Sequence, residues 1–129
     1  MNIEKYIGIP FVHHGESLKG ADCWGLVKLI LSKELHILHP YVGDYGDDKD
    51  SLTIEKLFYV NMHRYWEKVT QPKLGDCIVF QVRNMAAHVG LIIDSEFMIH
   101  TVKGKDSCLE RYKSIKWNKR TEGFYRYVG

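Results

Sequence analysis

Cys23, His88 and His100 are the residues of this chain whose types and placement allow nucleophilic chemistry. Asp22-Cys23-Trp24 opens the longest apolar segment, so Cys23 is expected on the first turn of a buried helix. A helix N-terminus offers free backbone N–H groups and partial positive charge, and both favour thiolate over thiol. Such a cysteine attacks carbonyls if a base lies near it and is ordinary core if none does. His88 and His100 flank Asp94-Ser95-Glu96, a turn-forming tripeptide between two apolar runs. A hairpin turning about residue 94 would set the two imidazoles opposite each other, about 5 Å apart on one face. Cys23 as nucleophile, His88 as base and His100 as the group orienting the base would make a cysteine hydrolase. The backbone N–H of Cys23 would serve the oxyanion. The same three side chains could instead hold zinc, but they lack a fourth ligand and the short spacings zinc sites use.

The elements that must position these residues are legible from periodicity. From Cys23 to about Leu35 the apolar residues cover almost every direction of the wheel, which predicts a helix buried nearly all round. Asp22 suits its N-cap, and Pro40 marks its far limit. Residues 41–50 read as a loop, and Ile54, Leu57, Phe58 and Tyr65 fall at helical spacing in a second helix. The second half changes character. Cys77–Val82, Val89–Ile93 and Phe97–Thr101 read as strands, with weaker candidates at Leu109–Tyr112 and Gly123–Val128. Helices first and strands second predict an α+β fold: N-terminal helices, one bearing Cys23, packed on an antiparallel sheet.

Composition removes other function classes. With 129 residues, the chain is expected to form a single domain over 1–129. The net charge is only +2 and charges of both signs are interspersed, so neither nucleic acid nor a membrane surface is an expected partner. Lys113 to Arg120 is the nearest approach to a basic patch, and it reads as a solvated edge. The three cysteines, Cys23, Cys77 and Cys108, make no CxxC spacing, and no metal or other cofactor is expected. Cys77 is expected in the core and Cys108 beside a polar turn. Five of the seven histidines, His13, His14, His36, His39 and His63, read as surface or packing residues. No signal peptide and no run of transmembrane length is seen, so synthesis in a cytoplasm without membrane insertion is expected.

Four segments in order resemble the NlpC family of papain-like cell-wall cysteine peptidases. They are Gly20-Ala21-Asp22-Cys23-Trp24-Gly25-Leu26-Val27, Leu74-Gly75-Asp76-Cys77-Ile78-Val79-Phe80, Ala87-His88-Val89-Gly90-Leu91-Ile92 and Met98-Ile99-His100-Thr101. Tyr6-Ile7-Gly8-Ile9-Pro10-Phe11, Trp24, Pro40-Tyr41 and Glu122-Gly123-Phe124-Tyr125-Arg126 are similar to the phage tail-assembly members. The resemblance implies a papain-like fold and hydrolysis of amide bonds in peptidoglycan stem peptides, commonly between γ-D-glutamate and a diamino acid. It makes Cys23 the nucleophile, His88 the base and His100 the third residue, with Asp22, Trp24, Phe11 and Ala87 at the substrate. It also implies tail-tip proteins as partners and a virion tail as destination, after synthesis in the host cytoplasm. A non-catalytic tail-tip subunit that keeps the fold is the alternative. The chain departs from many members at Phe11, where they carry tyrosine, and at Trp24, where cell-wall members carry serine.

Overall fold

The structure is a computed structural model and describes residues 1–38, 64–82 and 85–129. After a short 3-10 turn at Glu4–Tyr6 come β1 (Glu16–Ser17), β2 (Gly20–Ala21) and helix α1 (Cys23–Glu34). Then follow β3 (Trp66–Val69), β4 (Cys77–Val82), β5 (Met85–Ile92), β6 (Phe97–His100), β7 (Cys108–Arg111), helix α2 (Ile115–Asn118) and β8 (Thr121–Tyr127). β3 to β8 form one six-stranded sheet in the order β3-β8-β4-β5-β6-β7. Every neighbouring pair in it is antiparallel. The α+β expectation therefore holds. The second helix expected within 51–65, Pro40 and Tyr41, and two of the histidines (His39 and His63) lie largely or wholly outside the described residues.

Helix α1 begins where a carboxylate can cap it. The Gly25 N–H donates to Asp22 Oδ1 at 2.7 Å, and the Leu26 N–H donates to the Asp22 carbonyl at 2.9 Å. It ends earlier than Pro40. His36 adopts a φ of 56°, and the Ile37 N–H turns back to the Leu31 carbonyl at 2.9 Å. Leu26, Val27, Ile30 and Leu31 are fully buried, and each contributes about 1.5–3 kcal/mol by leaving water.

Strand alternation divides the sheet between two apolar layers. Cys77, Val79, Val89, Leu91 and Ile99 pack with α1 in one. Ile78, Phe80, Ile92, Met98 and Tyr112 pack with Trp117 of α2 in the other. The stretch Lys113 to Arg120 is therefore not simply a solvated edge: its Trp117 is buried and caps the second layer. β3 is a further addition, pairing Trp66 with Tyr127 and Val69 with Phe124 on β8. Its buried Trp66 is followed by two exposed charged residues, Glu67 and Lys68, so the strand shows no clean alternation to separate it from the helical pattern before it.

Two of the recognised segments prove to be partners. Asp76, 3 % exposed, receives Arg126 through Nε to Oδ1 at 3.0 Å and Nη2 to Oδ2 at 2.8 Å. This fork fixes the start of β4 against β8. The chain start is tied down by Ser107: its Oγ donates to the Tyr6 carbonyl at 2.6 Å and accepts the Ile9 N–H at 2.8 Å. Among the described residues no helix is long and apolar enough to cross a membrane.

Candidate active site

The start of α1 is built to hold Cys23 in one place. Asp22 is buried, and its Oδ2 accepts the His14 N–H at 2.8 Å while its Oδ1 caps the helix. A Cβ on Gly25 would overlap the Gly15 carbonyl oxygen, so only glycine lets the loop approach the helix this closely. Phe11 bridges Ala21, the residue before Asp22, and is half-buried. Trp24 turns into the core, 6 % exposed, with its ring 6.3 Å from that of Trp66.

β5 supplies the histidine. The β5–β6 ladder pairs Leu91 with Ile99 and Ile92 with Met98, so the hairpin turns about Ser95 and not about residue 94. His88 and His100 are therefore diagonal neighbours and not directly opposed. Moving the centre of the turn by one whole residue shifts each partner by two, and side chains two apart share a face. The imidazoles still meet, with His88 Nε2 and His100 Nδ1 2.8 Å apart. Gly90 makes room for this contact: a Cβ there would lie 3.3 Å from that of His100. Ala87 precedes His88 within β5.

Cys23 reaches the same strand. The N–H groups of Val89, Trp24 and Cys23 itself act on the sulfur. Val89, which packs with Cys23 and α1, directly follows His88, whose ring packs on Phe80, His100 and Trp117. Burial nevertheless dominates its protonation. The thiol is pushed up to about 12, first by desolvation and then by the nearby Asp22 carboxylate, against the three N–H groups. The expected lowering by the helix N-terminus is thus outweighed. Burial and the neighbouring His100 push His88 down to about 3. At rest the site holds a protonated thiol and a neutral imidazole.

The hydrogen-bonded chain continues beyond the residues recognised in the sequence. His100 Nε2 lies 2.9 Å from Glu110 Oε1, and Trp117 Nε1–H donates to Glu110 Oε2 at 2.5 Å. The Trp117 ring stacks on His88 at 5.5 Å and meets His100 edge-on at 5.0 Å. Burial alone would raise the Glu110 carboxyl, but the bonds from His100 and Trp117 hold it below its usual range. Burial lowers His100 below the ordinary imidazole value, against the opposing pull of Glu110. Glu110 carries no local sequence signal. It becomes visible only through register, because β7 pairs Glu110 with Met98 and Cys108 with His100.

His100, Cys108 and Glu110 have donor atoms within 4.8 Å of one another, the one such grouping of metal-ligating side chains among the described residues. It is not the Cys23, His88 and His100 set considered from sequence. The short His100–Glu110 contact is a hydrogen bond through a proton. All three cysteines are free; Cys77 is fully buried as expected, and Cys108 is half-buried on β7.

The family model for NlpC/P60 matches residues 8–126. The chain belongs to the NlpC/P60 family. That family comprises cysteine peptidases that act on peptidoglycan. Among solved structures, the NlpC/P60 domain of the peptidoglycan hydrolase SagA is 20 % identical with a TM-score of 0.61, over 97 % of this chain and 92 % of that one. A lipoprotein-like NlpC/P60 protein of Staphylococcus aureus is 20 % identical with a TM-score of 0.68, over 97 % of this chain. A Bacillus cereus NlpC/P60 family protein is 20 % identical with a TM-score of 0.70, over 96 % of this chain. This chain spans only 38 % and 37 % of those two proteins. The likeness gives the papain-like fold. No curated protein matches the chain significantly.

Proposed function

We propose that this NlpC/P60 chain is a cysteine peptidase that hydrolyses amide bonds in peptidoglycan stem peptides. The observation that carries the reading is that Cys23 opens a helix packed on β5 at Val89, next in the chain to a His88 held 2.8 Å from His100. In this reading His88 accepts the thiol proton through Nδ1, the ring nitrogen not facing His100, as Cys23 attacks the carbonyl carbon. The N–H of Cys23 stabilises the oxyanion. The leaving amine takes the proton from His88, and a thioester remains. Water, deprotonated by His88, then releases the acid and restores the thiol. A neutral imidazole and a protonated thiol are the forms this concerted route starts from.

Asp22 supplies buried negative charge beside Cys23, which suits a substrate with a free amine, such as a shortened stem peptide. Phe11 bridges Ala21, which precedes Asp22, and Ala87 precedes His88 along β5. Trp24 replaces a small hydroxyl residue with a core-filling ring. The bond between γ-D-glutamate and a diamino acid is the proposed target. A place in a phage tail, beside tail-tip proteins, rests on the sequence resemblance of the opening and closing segments.

The test is incubation with purified sacculi and defined muropeptides, with products read by mass spectrometry. Cleavage at the γ-D-glutamyl bond supports the full reading, and cleavage elsewhere retains the peptidase but replaces its target. No cleavage by the wild-type protein, together with tails that fail to assemble without it, would establish the non-catalytic tail-tip subunit instead.

A further inference from the structure

We propose that Glu110 is a positioning residue that fixes the tautomers of both histidines, so that His88 offers an unprotonated Nδ1 to Cys23. This rests on His88 being the base in the reading above, and it extends the site by two residues, Glu110 and Trp117.

The assignment follows from what each atom can do. An indole N–H only donates, so Trp117 occupies Glu110 Oε2 as a donor, at 2.5 Å. An ionised carboxylate only accepts, so the 2.9 Å contact at Oε1 requires the proton on His100 Nε2. Burial holds His100 below the ordinary imidazole value, and the neutral ring then has a lone pair at Nδ1. That lone pair faces His88 Nε2 at 2.8 Å, so His88 carries its proton there. The lone pair of His88 is left on Nδ1. Reversing any one proton sets lone pair against lone pair, or N–H against N–H, somewhere along the chain. Trp117 holds the geometry as well as the proton order, because its buried ring packs on both imidazoles.

Glu110→Gln tests the assignment with little change of shape. An amide has one acceptor and one donor end. With its oxygen on the Trp117 indole N–H, its NH2 faces His100 Nε2. His100 must then carry its proton on Nδ1, and His88 must carry its own on Nδ1, the nitrogen that does not face His100. Trp117→Phe in the same protein removes the indole donor and lets the introduced amide turn its oxygen toward His100.

The readouts are the 15N shifts of the two imidazoles and the rate of Cys23 alkylation by iodoacetamide at neutral pH. Hydrolysis of muropeptides is followed beside them. We expect Nε2–H on both rings in the wild type and Nδ1–H on both in Glu110→Gln. Alkylation and hydrolysis should fall about 10²-fold in Glu110→Gln, with at least tenfold recovery in Glu110→Gln/Trp117→Phe. A purely structural role predicts the opposite order, the double variant being worse than the single. Nδ1–H on either ring of the wild type would overturn the proposal, even if the variants fail to fold. So would wild-type tautomers and alkylation in a folded Glu110→Gln, or absence of recovery in a folded double variant. The shifts and the alkylation need no peptidoglycan. A wild type with the expected tautomers and no hydrolysis would therefore refute the peptidase reading and leave the Glu110 assignment standing.

Discussion

His88 Nε2 and His100 Nδ1 lie 2.8 Å apart although neither residue is directly across from the other in the sheet. The contact is diagonal, and Gly90 leaves the space for it. Removing His100 therefore strips His88 of the acceptor that orients its ring. For His100→Ala, we predict hydrolysis reduced on the order of 10²-fold, within the range typical of positioned acid–base groups. Far-ultraviolet circular dichroism should match the wild type. Activity within twofold of wild type in this variant would mean that His88 is oriented by something else.

The half-buried thiol of Cys23 and the buried imidazole of His88 give a pH dependence of stability with a definite sign. His88 is depressed from 6.5 to about 3, so an unfolded chain binds a proton that the folded one refuses in that window. Its contribution is present above pH 6.5 and is lost as pH falls toward 3. Cys23 is raised from 9.0 to about 12, so its contribution is present below pH 9.0 and is lost as pH rises toward 12. Melting temperature should thus decline on both sides of a neutral plateau. Cys23→Ala should flatten the alkaline limb in part, because the Cys77 thiol is raised in the same direction. An alkaline limb identical in wild type and Cys23→Ala would contradict the protonated resting thiol.

Gly25 carries a steric prediction. Ala at this position would drive a methyl group into the Gly15 carbonyl oxygen. The helix start or the loop must then move, at about 1–3 kcal/mol, and Cys23 moves with it. Chemical denaturation should show the loss of stability, with a larger proportional loss of hydrolysis than of melting temperature. A fully active Gly25→Ala would show that the loop does not hold the nucleophile.

Asp76 separates scaffold from chemistry. Its fork with Arg126 is distant in sequence from Cys23 and ties β4 to β8. Asp76→Ala should destabilise the fold by about 1.5–3 kcal/mol, the range for hydrogen bonds to charged groups. Below its melting temperature, activity per folded molecule should stay near wild type. A selective loss of activity at unchanged stability would assign Asp76 to the site.

Much of this architecture was legible from periodicity. The Cys23 helix, its Asp22 cap and strands β4 to β6 follow from apolar patterns and one capping side chain. The face shared by His88 and His100 also followed, although the turn lies one residue further on. What was hidden depends on distant pairing. Glu110 looks like an exposed strand residue until β7 sets Cys108 beside His100. Trp117 sits in a basic stretch and is buried only because α2 folds over the sheet. The thiol pKa departs from expectation for a related reason. The helix-end N–H groups are local and visible in sequence, but the desolvation that outweighs them comes from the whole packed site.

The most direct measurement is the hydrolysis of one defined muropeptide by wild type and Cys23→Ala at equal folded concentration, with products counted by mass spectrometry. The account predicts steady product release by the wild type and none above background from Cys23→Ala, with matching circular dichroism. Equal product release from the two proteins would contradict Cys23 as nucleophile and the mechanism built on it.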